Sequence, residues 1–171
     1  MASEKFDKRL QSLLSRHGIL SEGDAQNAAA QAKEKGKPLT TWIVEAKLAD
    51  ERAILDVLSR ETTVSPIDLE KVTVEEGVVA NFGQDLAKFY GVVPVSRVDN
   101  ILTMAVSDPF DVLKLDDVRI ITNCDIRPVV STERGILAAI DRIYNRRQQE
   151  MEDLLSKNDG HELVLAKEEE G

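Results

Sequence analysis

Two stretches decide the fold: Arg9-Leu10-Gln11-Ser12-Leu13-Leu14 followed by Gly18-Ile19-Leu20-Ser21-Glu22, and Pro38-Leu39-Thr40-Thr41-Trp42-Ile43 followed by Lys47-Leu48-Ala49-Asp50-Glu51. They lie about 29 residues apart, and their apolar positions coincide: Leu10 with Leu39, Leu13 with Trp42, Leu14 with Ile43, Ile19 with Leu48. Ser21 and Asp50 each precede a glutamate and then an apolar helical stripe, which is how a capped helix begins. A repeat of this length and pattern reads as two similar helix-turn-helix units that bury their apolar faces against each other. Paired copies can also frame a ligand between them.

Working outward, Glu4 to His17 carries a helical stripe (Phe6, Leu10, Leu13, Leu14) closed by Gly18, a good residue just past a helix end. The next helix has Ala25, Ala28, Ala29 and Ala32 on one face, small enough for close helix packing, with Ser21 and Asp24 spaced as a capping box. A short helix is expected over Thr41 to Ala46, and one after Asp50 carries Ile54, Leu55, Val57 and Leu58. Residues 1–61 thus read as a helical subdomain of about four helices. Beyond them the pattern changes. Ser65-Pro66 marks an extended connection. Thr73-Val74-Glu75-Glu76 resembles a capping box ahead of Val78, Val79 and Phe82, and Leu86 to Tyr90 stops at Gly91. Val92 to Val98 and Ile101 to Val106 read as strands around an Asp99-Asn100 turn. Asp108-Pro109 reads as an N-cap and first helical position, Ile126 to Val130 as a strand, and Ser131 as the cap of a long helix through Ile136, Leu137, Ile140 and Ile143. The fold class expected is α+β: the helical subdomain joined to a small α/β subdomain, 62–146, with a three-stranded sheet. Residues 147–171 read as a helical extension, broken at Lys157-Asn158-Asp159-Gly160, leading into a flexible acidic tail or linker.

The chain has 171 residues, enough to bury a real core, and a formal net charge of −9. That charge argues against nucleic acid or an anionic membrane surface as the main partner. The single cysteine, Cys124, has no internal partner for a disulfide, which suits a reducing cytoplasm. No apolar run approaches the roughly 20 residues of a membrane helix. A cytoplasmic protein is expected, brought to a membrane by another protein if it works there. His17 and His161 are too sparse for a metal site, and Asp116-Asp117, adjacent on a helix, point in different directions rather than forming a catalytic pair. No cofactor is expected.

The run Leu86-Ala87-Lys88-Phe89-Tyr90-Gly91-Val92-Val93-Pro94-Val95, then Leu102-Thr103-Met104-Ala105-Val106-Ser107-Asp108-Pro109-Phe110-Asp111-Val112 and Leu115-Asp116-Asp117-Val118-Arg119, resembles the N-terminal (MshEN) domain of type II secretion and type IV pilus assembly ATPases. Ile126-Arg127-Pro128-Val129-Val130-Ser131 continues the resemblance, which spans roughly residues 5 to 145. It implies a helical lobe joined to an α/β lobe, preceding a hexameric motor and docking it onto the cytoplasmic part of an inner-membrane secretion or pilus assembly protein. The chain itself contains no Gly-x-x-x-x-Gly-Lys-Ser/Thr loop to cradle phosphates; its Gly36-Lys37 pair runs into Pro38, which lacks the needed amide. A non-enzymatic domain is therefore expected, with a stand-alone adaptor as an alternative.

In some members of that family the domain binds cyclic di-GMP through tandem copies of Arg-Leu-Gly, two apolar residues, then Gly and two more apolar residues. Arginine meets a phosphate or guanine edge, leucines pack on base faces, and glycines admit the ligand to the backbone. The resemblance assigns Arg9, Leu10, Leu14, Gly18 and Ile19 in the first copy and Leu39, Ile43 and Leu48 in the second to such a site. The second copy has Pro38 where arginine is expected, and Thr40 and Lys47 for its two glycines; the first has Gln11 for glycine. A charged hydrogen bond contributes about 1.5–3 kcal/mol, so one lost arginine with crowded glycine positions costs about 100-fold in affinity. A docking and regulatory domain is accordingly the leading expectation and a nucleotide sensor the alternative. Candidate partner-binding residues are Trp42, the sole tryptophan, and Arg142 and Arg146, which with Arg147 form the basic cluster of the last helix.

Overall fold

The computed structural model describes residues 4–170, with side chains through residue 157. Four helices, α1 (Glu4–Arg16), α2 (Glu22–Glu34), α3 (Leu39–Glu45) and α4 (Glu51–Thr62), form the first lobe. The repeat is carried into the backbone bond by bond. At the end of α1, Gly18 N–H donates to Ser15 O (3.1 Å) and Ile19 N–H to Leu14 O (2.9 Å). At the end of α3, Lys47 N–H donates to Val44 O (3.1 Å) and Leu48 N–H to Ile43 O (3.0 Å). This is the Schellman closure, and it needs a left-handed residue at its hinge. Gly18 supplies it at φ 71°, and Lys47 occupies the same place at φ 58°. The packing positions repeat too: Leu10, Leu14, Leu39 and Ile43 are all fully buried in one core with the alanines of α2 and Ile54, Val57 and Leu58 of α4.

Residues 63–75 lead through a 3-10 turn (Leu69–Lys71) to the second lobe: α5 (Glu76–Ala80), α6 (Gln84–Tyr90), β1 (Val92–Val98), β2 (Ile101–Val106), α7 (Val112–Thr122), β3 (Asp125–Val130) and α8 (Glu133–Glu170). The sheet order is β1-β2-β3. β1 and β2 form an antiparallel hairpin around Asp99-Asn100, with Val98 opposite Ile101 and Asp99 at φ 53°, while α7 returns the chain so that β3 runs parallel to β2. Successive residues Met104, Ala105 and Val106 are all buried, so both faces of the central strand are covered. The α+β architecture and the three-stranded sheet expected from the sequence are present.

Three caps differ from the sequence reading. α5 is entered from Glu75, with no side-chain cap, rather than from a box built on Thr73. Asp108 does not cap α7; its Oδ1 accepts from Phe110 N–H (3.0 Å) in a tight turn, and Asp111 is the cap, accepting from Lys114 N–H at 3.1 Å. Both aspartates suit an N-cap, and only the geometry of the Pro109 turn selects the later one. At α8 the capping acceptor is Thr132 Oγ1, which takes Gly135 N–H at 3.1 Å, instead of Ser131. The break expected at 157–160 is absent, since α8 continues to Glu170; one glycine costs a helix about 1 kcal/mol and does not by itself end it. His161 lies outside the described side chains.

The lobes meet through apolar and polar contacts. Val130, at the end of β3, is fully buried in the helical lobe's core, against which Phe110 also packs. Thr132 Oγ1 donates to Glu51 Oε1 (2.5 Å), joining the starts of α8 and α4. Among the described residues no helix is long and apolar enough to cross a membrane.

Candidate functional site

α1 turns Arg9 outward, away from the buried Leu10 and Leu14, and toward Phe110 of the second lobe. Its guanidinium carbon stands 4.5 Å from the centroid of the Phe110 ring. Phe110 is fixed there by the Asp108 turn. The two residues share the wall of a cavity of about 320 Å³ with Lys5, Phe6, Asp108 and Leu113. Burial raises the Asp108 pKa above the usual carboxylate range, partly offset by the Phe110 amide; the Asp111 carboxylate raises it further, while Lys114 and Arg9 lower it. The cavity therefore offers two cations, two carboxylates (Asp108, set in a low-dielectric wall, and Asp111) and an aromatic face. An anion that meets the Arg9 guanidinium there competes with the ring, a contact worth about 0.5–1 kcal/mol at an exposed site.

The other residues assigned to the nucleotide site do not converge on that cavity. Leu10, Leu14, Leu39 and Ile43 pack on one another and have no solvent-exposed surface. Gly18, Ile19 and Leu48 sit in the two Schellman turns, where the backbone requires their conformation, and Leu48 is 41% exposed. Of the eight residues, Arg9 alone lines this cavity. Pro38, in arginine's place in the second copy, precedes α3 with φ −58° and ψ 145°, and the Leu39 amide behind it donates to Asp7 of α1.

Each partner-binding candidate is engaged within the chain. Trp42 is half-buried, and its Nε1 donates to Gln31 Oε1 at 3.2 Å. Arg142 Nη2 donates to Leu69 O at 2.6 Å, tying α8 to the 3-10 turn. Arg146 pairs with Glu150 (3.1 Å) and Arg147 with Glu76 (2.8 Å), so most of the basic cluster is neutralised internally. His17 Nε2 lies 2.7 Å from Glu61 Oε1 and joins α1 to the end of α4. Among the described residues there is no group of three or more His, Cys, Asp or Glu placed to hold a metal.

Sequence reasoning missed Phe110 and the Glu51–Thr132 bond. The motif Asp108-Pro109-Phe110-Asp111 was the available signal for the first, since a turn rigid enough to need Asx bonding also fixes the residue inside it. Nothing local signals a contact between residues 51 and 132.

A family model described as the MshEN domain matches residues 58–150. The type IV pilus assembly ATPase PilB of Myxococcus xanthus is 29% identical over 161 residues, which is 94% of this chain and 28% of that relative. The chain thus spans little more than a quarter of the length of that relative. Among solved structures, MshE with cdg superposes with a TM-score of 0.62 at 24% identity, covering 79% of this chain and 98% of that one. The N-terminal domain of XpsE superposes at 0.60 with 21% identity, covering 83% and 98%. These two likenesses confirm the two-lobed fold, and the family match over more than half of the residues settles the lineage: the chain belongs to the MshEN domain family, the N-terminal domain of type II secretion and type IV pilus ATPases.

Proposed function

We propose that this domain is a non-catalytic docking and regulatory unit that couples a type IV pilus or type II secretion ATPase to the cytoplasmic part of an inner-membrane assembly protein. The observation that carries the reading is the alignment with PilB across 94% of this chain, in a sequence with no phosphate-binding loop. One feature supports it: the lobes are pinned together by Val130 and the Glu51–Thr132 bond, so the domain can transmit force as one body. Titrating the chain with the cytoplasmic domain of its cognate inner-membrane assembly protein in a calorimeter tests the reading. Saturable binding is expected; no heat at high micromolar partner would overturn it.

A second reading, a cyclic di-GMP sensor, draws on Arg9 at a cavity and on MshE having been solved with cdg. The sealed Leu10, Leu14, Leu39 and Ile43 weigh against it, because a base cannot stack on side chains that have no free surface. Calorimetry with cyclic di-GMP on the natural chain and on Arg9→Ala separates the two: heat lost in the variant favours the sensor, and no heat in either retires it.

A further inference from the structure

α8 begins beside Ser131, and Ser131, Gly135, Ala138 and Arg142 follow one another three to four residues apart on one face. This ridge floors a groove of about 630 Å³ between the lobes, walled by the start of α4 and by residues 66–70, with Leu55, Pro66 and Ile67 as its apolar part. The floor is thin at Gly135, where a Cβ would come within 2.6 Å of Ser131 Oγ.

Most polar groups around the groove are occupied. Glu51 accepts from Thr132, Asp68 accepts from the Glu70 amide, and Arg52 pairs with Asp56. Those left over are mainly donors. Ser131 is 4% exposed, yet its hydroxyl has no hydrogen-bond partner among the described residues. Arg134 has no ion pair or hydrogen bond among them, and Arg142 contacts only a neutral carbonyl, Leu69 O. The two arginines stand eight residues apart on one helix, their backbone positions about 12 Å apart along its axis. Glu70, on the opposite rim, is the one lining carboxylate not engaged among the described residues. A chain of net charge −9 repels acidic partners over most of its surface, so this donor-rich strip is where one could approach.

We propose that this groove seats an acidic, partly apolar polypeptide segment of the docking partner, its carboxylates meeting Arg134, Arg142 and the Ser131 hydroxyl. The assignment rests on the docking reading above and adds the surface and the chemistry. Arg134→Glu is the informative variant, because the side chain makes no contact that folding needs. Binding of the partner's cytoplasmic domain is measured calorimetrically for the natural chain, Arg134→Glu and Leu113→Ser, at low and high salt. The expected result is at least tenfold weaker binding for Arg134→Glu with a flatter salt dependence, and Leu113→Ser within twofold of the natural chain. Binding by Arg134→Glu within twofold of the natural chain overturns the groove and leaves docking standing, with weakening by Leu113→Ser moving the partner to α7. A natural chain that does not bind overturns docking itself. Sedimentation of the chain alone supplies the remaining outcome: dimerisation abolished by Arg134→Glu assigns the groove to a second copy and overturns the proposal.

Discussion

Asp7→Asn should stabilise this domain at neutral pH and lose that effect in acid. Asp7 sits half-buried on α1, with Oδ1 buried and without a hydrogen-bond partner among the described residues. Burial raises its pKa to about 6 from the ordinary 3.8; the carboxylates of Glu133 and Glu4 add to the rise, and the Leu39 amide opposes it. The folded chain therefore binds this proton more tightly than the unfolded chain does. Below 3.8 both states hold it and no penalty exists. As pH rises from 3.8 to about 6 the unfolded state releases its proton first, and stability falls; above 6 the whole penalty is in place. At 1.36 kcal/mol for each tenfold in proton affinity the ceiling is about 3 kcal/mol, and solvent access to a half-exposed group brings it to about 1–2 kcal/mol. Asparagine has no charge to lose and keeps an acceptor for the Leu39 amide. Urea unfolding of both proteins at intervals from pH 4 to pH 7 reads the effect as a growing stability difference, which cancels any constant cost of the substitution. A difference that stays flat across that range would refute the reasoning. Glu133→Gln, which removes the larger of the two charge contributions, should narrow the rise.

Lys47→Gly should raise stability by about 0.5–1 kcal/mol in urea unfolding, because a side chain at φ 58° strains a backbone that glycine occupies freely. Tyr144→Phe should lower it by about 1–3 kcal/mol, since the buried phenol donates to Phe82 O and the carbonyl would be left unpaired. Arg9→Ala should cost under about 1 kcal/mol by thermal unfolding, the worth of an exposed cation–ring contact, with near-ultraviolet circular dichroism unchanged.

The helical lobe was legible because its repeat is written in packing positions, and packing is periodic. Leu10 with Leu39 and Leu14 with Ile43 occupy equivalent fully buried sites. The hairpin was legible for a similar reason: two β-branched runs flank a two-residue turn. The individual caps were not, because Asp108 and Asp111, or Ser131 and Thr132, are chemically interchangeable acceptors and tertiary contacts choose between them. Thr132 is drawn into the cap by its partner Glu51, which is 81 residues away. The candidate site was the least legible part. A motif states which side chains are present; which of them are sealed depends on how closely the helices pack, and the alanines of α2 bring those helices together.

Lys47 shows how a motif residue can be misread. Glycine at that position in the nucleotide-binding pattern reads as room for a ligand, so its absence reads as a lost site. In the folded chain position 47 is first a Schellman hinge, as Gly18 is in the other copy, and both hinges close through the same pair of backbone bonds. The lysine therefore costs strain rather than fold. The position that does separate the copies is the one before each buried leucine. Arg9 crosses to Phe110 in the second lobe, whereas Pro38 leaves the following amide to Asp7 within the first. The two copies therefore share their buried leucine and isoleucine positions and their hinge bonds, and differ where they face outward, where one of them serves the junction between the lobes.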